Sequence, residues 1–513
     1  MSFSANTPEH LDVLIVGAGI SGIGAAYYLQ RQHPGRNYAI LEARGATGGT
    51  WDLFRYPGIR SDSDLHTFGY EFKPWRDDDA IASADKILAY LRETAAENRI
   101  DEKVRFHHKV LGAAWSSADA RWIVDIERTD TGEGGVDGDP ELVQISANWL
   151  FSAGGYYRYD QGYTPHFEGR EDFAGQIVHP QHWPEDLDYT GKKVVIIGSG
   201  ATAVTMVPAM AGKAGHVTML QRSPSYIMPV PSKDVFANTA KRVLGDKLGF
   251  ALARRKNIAK QRFVYQFCQK HPGAARRLIR RLNAQQLPDG YPVDEHFSPD
   301  YNPWDQRLCA VPDGDMFAAI SNGSASVVTD RIAAFTETGI RLESGRDLDA
   351  DIIVTATGLN MQAFGGLSLT VDGRPVNLAD TVAYKGMMLS GVPNFAYAVG
   401  YTNSSWTLKV GLLCEHLCQL LTHMDAHGYD TARPEPDDPG METRPFMDFA
   451  AGYVQRAASQ LPRQGAGRPW LTSMGYHDDV QLLRNGSVTD PQLKFTAAAD
   501  AVLHGADTAM VCL

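Results

Sequence analysis

Two glycine-rich loops in this chain have the spacing that seats a dinucleotide. Gly17-Ala-Gly-Ile-Ser-Gly22 carries glycine at its first, third and sixth positions, and Gly198-Ser-Gly-Ala-Thr-Ala203 repeats the pattern with Ala203 in last place. The first glycine permits a tight turn, the second lets the backbone approach a pyrophosphate, and the third lets helix and strand pack closely. Gly17, Gly19 and Gly22 thus form one candidate seat, and Gly198, Gly200 and Ala203 the other. The helix that follows each loop offers free amides and a positive dipole end to the anion. The residues that close each unit differ. Glu42 ends the apolar run after the first loop and can accept from ribose hydroxyls. The run after the second loop ends instead on Gln221-Arg222-Ser223. An acid there would repel a 2′-phosphate, whereas Arg222 can pair with one through charge-assisted bonds. The expected cofactors are FAD at the first loop and NADPH at the second.

The elements around the loops fit this reading. Residues 12–16 form a short apolar, β-rich run into Gly17, residues 20–30 read as a helix, and residues 37–41 as the next strand. The unit recurs at residues 193–197 and 217–220, and residues 350–354 give a further strand. Alternating strands and helices imply an α/β fold with two Rossmann-like dinucleotide-binding domains. Residues 232–299 break the alternation. Between Lys241 and Asn283 there are thirteen Lys/Arg and one acid, Asp246, in helix-forming sequence. The expected division is an FAD-binding domain from 1–156 and 363–513, an NADPH-binding domain from 157–231 and 300–362, and a basic helical insertion at 232–299. Residues 433–444, rich in Pro, Asp and Glu, read as a surface loop.

Three further segments carry distinctive patterns. Phe173, Gly175, His179 and Trp183 stand as F-x-G-x-x-x-H-x-x-x-W, followed by Pro184. Gly48-Gly49-Thr50-Trp51 leads, through Tyr56 and Pro57, to Asp62. Residues 301–312 contain Asp305-Gln306-Arg307. Together these segments resemble the type I Baeyer–Villiger monooxygenases, and the resemblance runs over nearly the whole chain, weakest in the insertion and after about residue 460. Within that family the runs at 50–64, 179–188 and 399–408 are most similar to mycobacterial FAD-containing members.

The resemblance implies that NADPH reduces FAD and that reduced FAD captures O2 as a C4a-peroxide. It implies insertion of one oxygen beside a ketone carbonyl to give an ester or lactone, and also oxidation of sulfides and thioamides. Arg307 falls on the family's active-site arginine and Asp62 on its active-site aspartate. Gly49, Thr50 and Trp51 fall beside the flavin. His179 lies in the linker between the nucleotide domains, where it could couple NADPH binding to domain movement, and a histidine bonded to a backbone carbonyl is compatible with that role. Many members have Lys where this chain has Gln306, which leaves open how strongly NADPH is preferred over NADH.

Composition bounds the alternatives. The chain has 513 residues, a formal net charge of −11 and five cysteines. Its acidity argues against nucleic acid as a partner, and few, irregular cysteines point to a reducing, cytoplasmic setting. No apolar run approaches the roughly 20 residues of a membrane helix. Peripheral membrane contact through the basic insertion and homo-oligomerisation stay open. The expected partners are O2 and a small ketone or thioether. Two rival enzymatic readings remain: a flavin-containing N/S-monooxygenase, or an NADPH oxidase that releases peroxide. A docking protein built around the insertion would leave both nucleotide loops unexplained.

Overall fold

A computed structural model describes residues 8–129, 140–306, 308–438, 440–447 and 452–497. The first glycine loop belongs to a nine-stranded mixed sheet. At its centre Glu9–Val16 runs parallel to both Tyr38–Leu41 and Glu141–Ser152. The antiparallel meander His108–Ser116, Arg121–Arg128, Glu141–Ser152 extends the sheet on one side. Successive side chains of a strand point to opposite faces. Ile15, Ile40 and Phe151 accordingly enter one buried cluster, and Leu14, Leu41 and Leu150 the other. Burial on both faces explains why these runs are continuously apolar instead of alternating.

The second loop belongs to a separate five-stranded sheet that is wholly parallel. Its order is Ala325–Thr329, His216–Gln221, Lys193–Ile197, Ile352–Thr355, Gln176–Val178. Two Rossmann-like units are therefore present, as the sequence implied. The chain passes from the first sheet to the second through Tyr157–Gly162 and returns through Leu359–Met361, and these two segments pair antiparallel. The crossover is thus a two-stranded strap with its own hydrogen bonds.

Between His216–Gln221 and Ala325–Thr329 the basic segment forms helices over Val235–Lys270, Pro272–Ala284 and Val293–Phe297. The first bends sharply at Gly245, whose φ of 78° a residue with a Cβ adopts at a cost. Residues 433–444 are not wholly loop. Thr431–Pro434 pairs with Leu493–Thr496 and Thr443–Pro445 with Arg463–Gly465, so partners far along the chain recruit the proline-bearing ends as short edge strands. Cys268, Cys309, Cys414 and Cys418 are buried and form no disulfide among the described residues. Cys512 lies outside them.

Candidate functional site

A cavity of about 720 Å³ is lined by residues of both nucleotide-binding units. The first glycine loop forms its floor. Gly17 takes a φ of 102°, and a Cβ there would lie 2.8 Å from the carbonyl oxygen of Ala153, so strand and turn exclude any larger residue. Gly22 is just as constrained, because its Cβ would meet the oxygen of Gly17 at 1.9 Å. Gly19 differs. The nearest atom to its Cβ would be Gly49 Cα at 3.6 Å, ordinary contact, and the residue lines the cavity. Gly200, the matching position of the second loop, would meet nothing within 4 Å. The protein itself does not require glycine at either place. Space held open there suits a pyrophosphate drawn tightly onto the backbone.

Glu42 also lines the cavity, but the loop already uses its carboxylate. Oε2 accepts from the Ala18 amide at 2.8 Å and Oε1 from the Arg44 amide at 3.0 Å. Burial raises its pKa, and those two amides oppose the rise. A carboxylate offers about four acceptor sites, so ribose hydroxyls can still be received.

Gly49, Thr50, Trp51 and Asp62 form the roof. Trp51 packs edge-on to Phe68 at 5.6 Å, and Thr50 Oγ1 lies 3.4 Å from the Tyr159 hydroxyl. The segment is anchored by Asp52, which is buried and pairs with Arg44 at 2.6 Å, Arg92 at 2.8 Å and Arg55 at 3.1 Å. Asp62 is half-buried, on a loop held by the Ser61 amide bonding to Ala82 O at 2.9 Å. Arg60, on the same loop and the same cavity wall, pairs at 2.5 Å with Asp315 at the start of the second domain's Asp315–Ser321 helix. Ala201, Thr205, Cys309 and Ala310 close the cavity from that domain. Arg307 lies outside the described residues.

The chain's similarities to known proteins decide what this architecture belongs to. Residues 15–77 match the NAD(P)-binding Rossmann-like domain, and residues 74–368, more than half of the chain, match the model described as flavin-binding monooxygenase-like. The chain belongs to the flavin-binding monooxygenase-like family. It is 54% identical over 488 residues to the FAD-containing monooxygenase EthA of Mycobacterium tuberculosis, covering 95% of this chain and 98% of that protein. In fold it is similar to an oxidized steroid monooxygenase bound to NADP, with a TM-score of 0.73 at 23% identity over 95% of this chain and 100% of that one. A cyclohexanone monooxygenase from Rhodococcus sp. Phi1 bound to NADP+ gives the same TM-score at 19% identity, covering 96% and 100%.

Within this flavin-binding monooxygenase, the residues singled out in sequence separate into groups. Gly17, Gly19, Glu42, Gly49, Thr50, Trp51 and Asp62 line one cavity. Gly198, Gly200, Ala203, Arg222 and Ser223 do not. Ala203 is buried in the helix Ala201–Ala211, while Arg222 and Ser223 are exposed at the end of the strand His216–Gln221. Ser199 ties the second loop to this end, bonding Ser223 O at 3.2 Å and Ser225 Oγ at 2.8 Å. Gln221 is turned inward, donating to His296 O and Thr329 Oγ1.

The Phe173–Trp183 pattern lies away from the cavity. A Cβ on Gly175 would meet Asp351 O at 2.4 Å and the Phe173 ring at 2.5 Å, so these two positions fix packing beneath the second sheet. Trp183 meets Tyr189 edge-on at 6.4 Å against the same domain's core. His179 stands at the strap. Its Nδ1 accepts from the Gln181 amide and its Nε2 donates to Gly358 O at 3.2 Å, while Gly162 leaves room for the ring, since a Cβ there would lie 2.0 Å from it. Burial lowers the His179 pKa and favours the neutral ring. His179 therefore touches Gly162 at the end of the outgoing strand and Gly358 just before the returning one.

Two groups escaped the sequence reading. The insertion grips the roof loop of the first domain. Arg254 is buried and donates to His66 O, Thr67 O and Gly69 O. Asn257 and Gln261 both donate to Asp64, at 3.0 and 2.6 Å, and Gln261 accepts from Ser404 on the cavity wall at 2.9 Å. Tyr401, which also lines the cavity, donates to Asp479 at 2.7 Å, and Asp479 pairs with the buried Lys409 at 2.9 Å. Trp406, in the 402–406 segment that the family resemblance puts at the flavin or substrate pocket, lines the cavity and donates to Ser21 Oγ at 2.8 Å. The face spacing of 254, 257 and 261 was readable as a helical stripe. Its partners, nearly 200 residues away, were not.

Proposed function

We propose that this flavin-binding monooxygenase is a FAD- and NADPH-dependent Baeyer–Villiger enzyme, inserting one oxygen of O2 beside a ketone carbonyl to give an ester or lactone. The second oxygen leaves as water, and NADPH supplies the electron pair. The observation that carries the reading is a cavity lined by both nucleotide domains, with Asp62 on its wall. In this assignment residues 1–156 and 363–513 hold FAD, residues 157–231 and 300–362 hold NADPH, and 232–299 is the insertion.

Bound flavin, once reduced, supplies the activation of O2 and the oxygen transfer. The chain's residues do the rest. Gly17, Gly19 and Gly22 seat the pyrophosphate and Glu42 receives the ribose. Trp51 and Phe68 exclude water on the roof side. Arg307 supplies a fixed positive charge where negative charge develops, worth most where water is excluded, and Asp62 holds its orientation. Cys309 and Ala310, just after Arg307, line the cavity, which supports bringing that segment to the chemistry. His179 links the strap to the motion between domains.

Arg222 is exposed and makes no hydrogen bond or ion pair among the described residues, which suits a guanidinium kept for the 2′-phosphate. Arg222→Ala should raise the KM for NADPH by roughly tenfold to a hundredfold, the range for a lost charge-assisted bond. The KM for NADH should stay unchanged. Equal effects on both cofactors would assign Arg222 elsewhere.

The activity is tested by supplying NADPH and O2 with 2-alkanones, phenylacetone and a thioether, and measuring products beside NADPH and hydrogen peroxide. Ester formed in step with NADPH use is expected. Sulfoxide without ester would indicate an N/S-monooxygenase acting on sulfides and thioamides. Peroxide alone would indicate an oxidase.

A further inference from the structure

We propose that the outer face of the insertion is a docking surface for an anionic lipid bilayer. Of the large apolar side chains exposed among the described residues, Leu111 stands apart. The other seven, Val235, Phe236, Val243, Leu244, Leu248, Phe263 and Leu278, all belong to the insertion. They concentrate where the helix Val235–Lys270 bends. Residues 242–248 are exposed without interruption, Val243 at 72%, and a Cβ on Gly245 would meet nothing within 4 Å. The bend is therefore a projecting tip with aliphatic side chains at its end.

The tip is set in positive charge. Arg242, Lys247, Arg255, Lys260, Arg262 and Lys270 are exposed along this helix. The one acid within it, Asp246, is already paired with Arg76 at 3.2 Å. From Lys247 to Pro288 the sequence has no Asp or Glu. Leu248, Arg255 and Arg262 follow at intervals of seven, two helical turns, with Phe263 beside them. The opposite face carries Phe250, Ala253, Arg254 and Asn257, all buried. One side of the helix thus holds the protein together, and the other is apolar and cationic. A projecting, predominantly basic surface of this kind suits a deformable anionic surface, where apolar tips enter the interface and Lys/Arg meet headgroups. No described helix is long and apolar enough to cross a membrane, so contact would be at the surface.

Sedimentation of the full-length flavoprotein with vesicles tests this, using phosphatidylcholine alone and phosphatidylcholine containing phosphatidylglycerol, at low and high salt. Binding to the anionic vesicles at low salt is expected. It should weaken roughly tenfold or more in Val243→Asp/Leu244→Asp and in Arg255→Glu/Arg262→Glu, with flavin content unchanged. Absence of binding to anionic vesicles at low salt would overturn the proposal, as would equal binding to neutral vesicles or equal binding by both variants. A dimer seen by sedimentation without vesicles and dissociated by both variants would assign this face to a second copy of the chain and overturn it too.

Discussion

Gly22→Ala should yield a protein with almost no bound flavin and lower thermal stability, and Gly19→Ala a protein of near-normal stability that has also lost flavin. The two differ in what the methyl group meets. On Gly22 it would lie 1.9 Å from the Gly17 oxygen. That atom is backbone, so the turn or the helix Ile20–Gln32 must move. Overpacking of this kind costs about 1–3 kcal/mol, and it distorts the seat itself. On Gly19 the nearest protein atom would be at 3.6 Å, and the residue has an ordinary φ of −81°. Nothing in the protein resists alanine there. Loss of flavin from Gly19→Ala would then report a ligand approaching closer than a methyl group allows. The ratio of flavin to protein absorbance measures binding, and thermal unfolding of the flavin-free proteins measures the fold. We expect affinity to fall by roughly tenfold to a hundredfold in both variants, the range for a hydrogen bond to a charged group that is lost when the backbone cannot approach the phosphate. Wild-type flavin content in Gly19→Ala would mean that the pyrophosphate lies elsewhere.

This contrast marks the boundary of what could be read from the chain. The glycine loops and their strands were legible because each is local: a short apolar run, a turn and a helix fall within about 30 residues. The parallel pairings followed from the alternation, but the antiparallel meander that makes the first sheet mixed did not. The Phe173–Trp183 pattern was recognisable by its letters, but its role depends on contacts. Gly175 is glycine because the Phe173 ring and Asp351 O occupy the space, and His179 matters because the chain crosses twice beside it. The supports of the cavity were least legible. Asp52 draws arginines from positions 44, 55 and 92, Gln261 joins Asp64 to Ser404, and Lys409 and Tyr401 share Asp479. Each is a polar group stabilised by partners brought in by the tertiary fold, and single-sequence periodicity carries no signal for such pairings. The insertion was legible as basic and helical. That its inner face belongs energetically to the first domain, through Arg254 and three backbone carbonyls, was not.

Arg307→Ala should reduce ester formation by roughly a hundredfold to a thousandfold, the usual loss when one fixed group stabilising a developing negative charge is removed. Two other steps should survive. In the proposed assignment the flavin seat is formed by Gly17, Gly19, Glu42 and the Gly49–Trp51 roof, so flavin content should be retained. Hydride transfer from NADPH needs the two nucleotide sites rather than this charge, so anaerobic reduction should proceed at a similar rate. NADPH consumption would then appear as hydrogen peroxide instead of ester. Arg307→Lys, which keeps the charge but not the planar fork, should recover part of the ester yield. Asp62→Ala should give the same redirection to a smaller degree, because its proposed role is to orient the arginine, and Asp62→Asn should fall between it and wild type. Stopped-flow reduction, product analysis and peroxide measurement on one preparation separate these steps. Wild-type ester yield in both alanine variants would remove Arg307 and Asp62 from the chemistry. Loss of anaerobic reduction in Arg307→Ala would instead make the arginine part of the NADPH seat, since a group needed only after O2 enters cannot slow a step that precedes it.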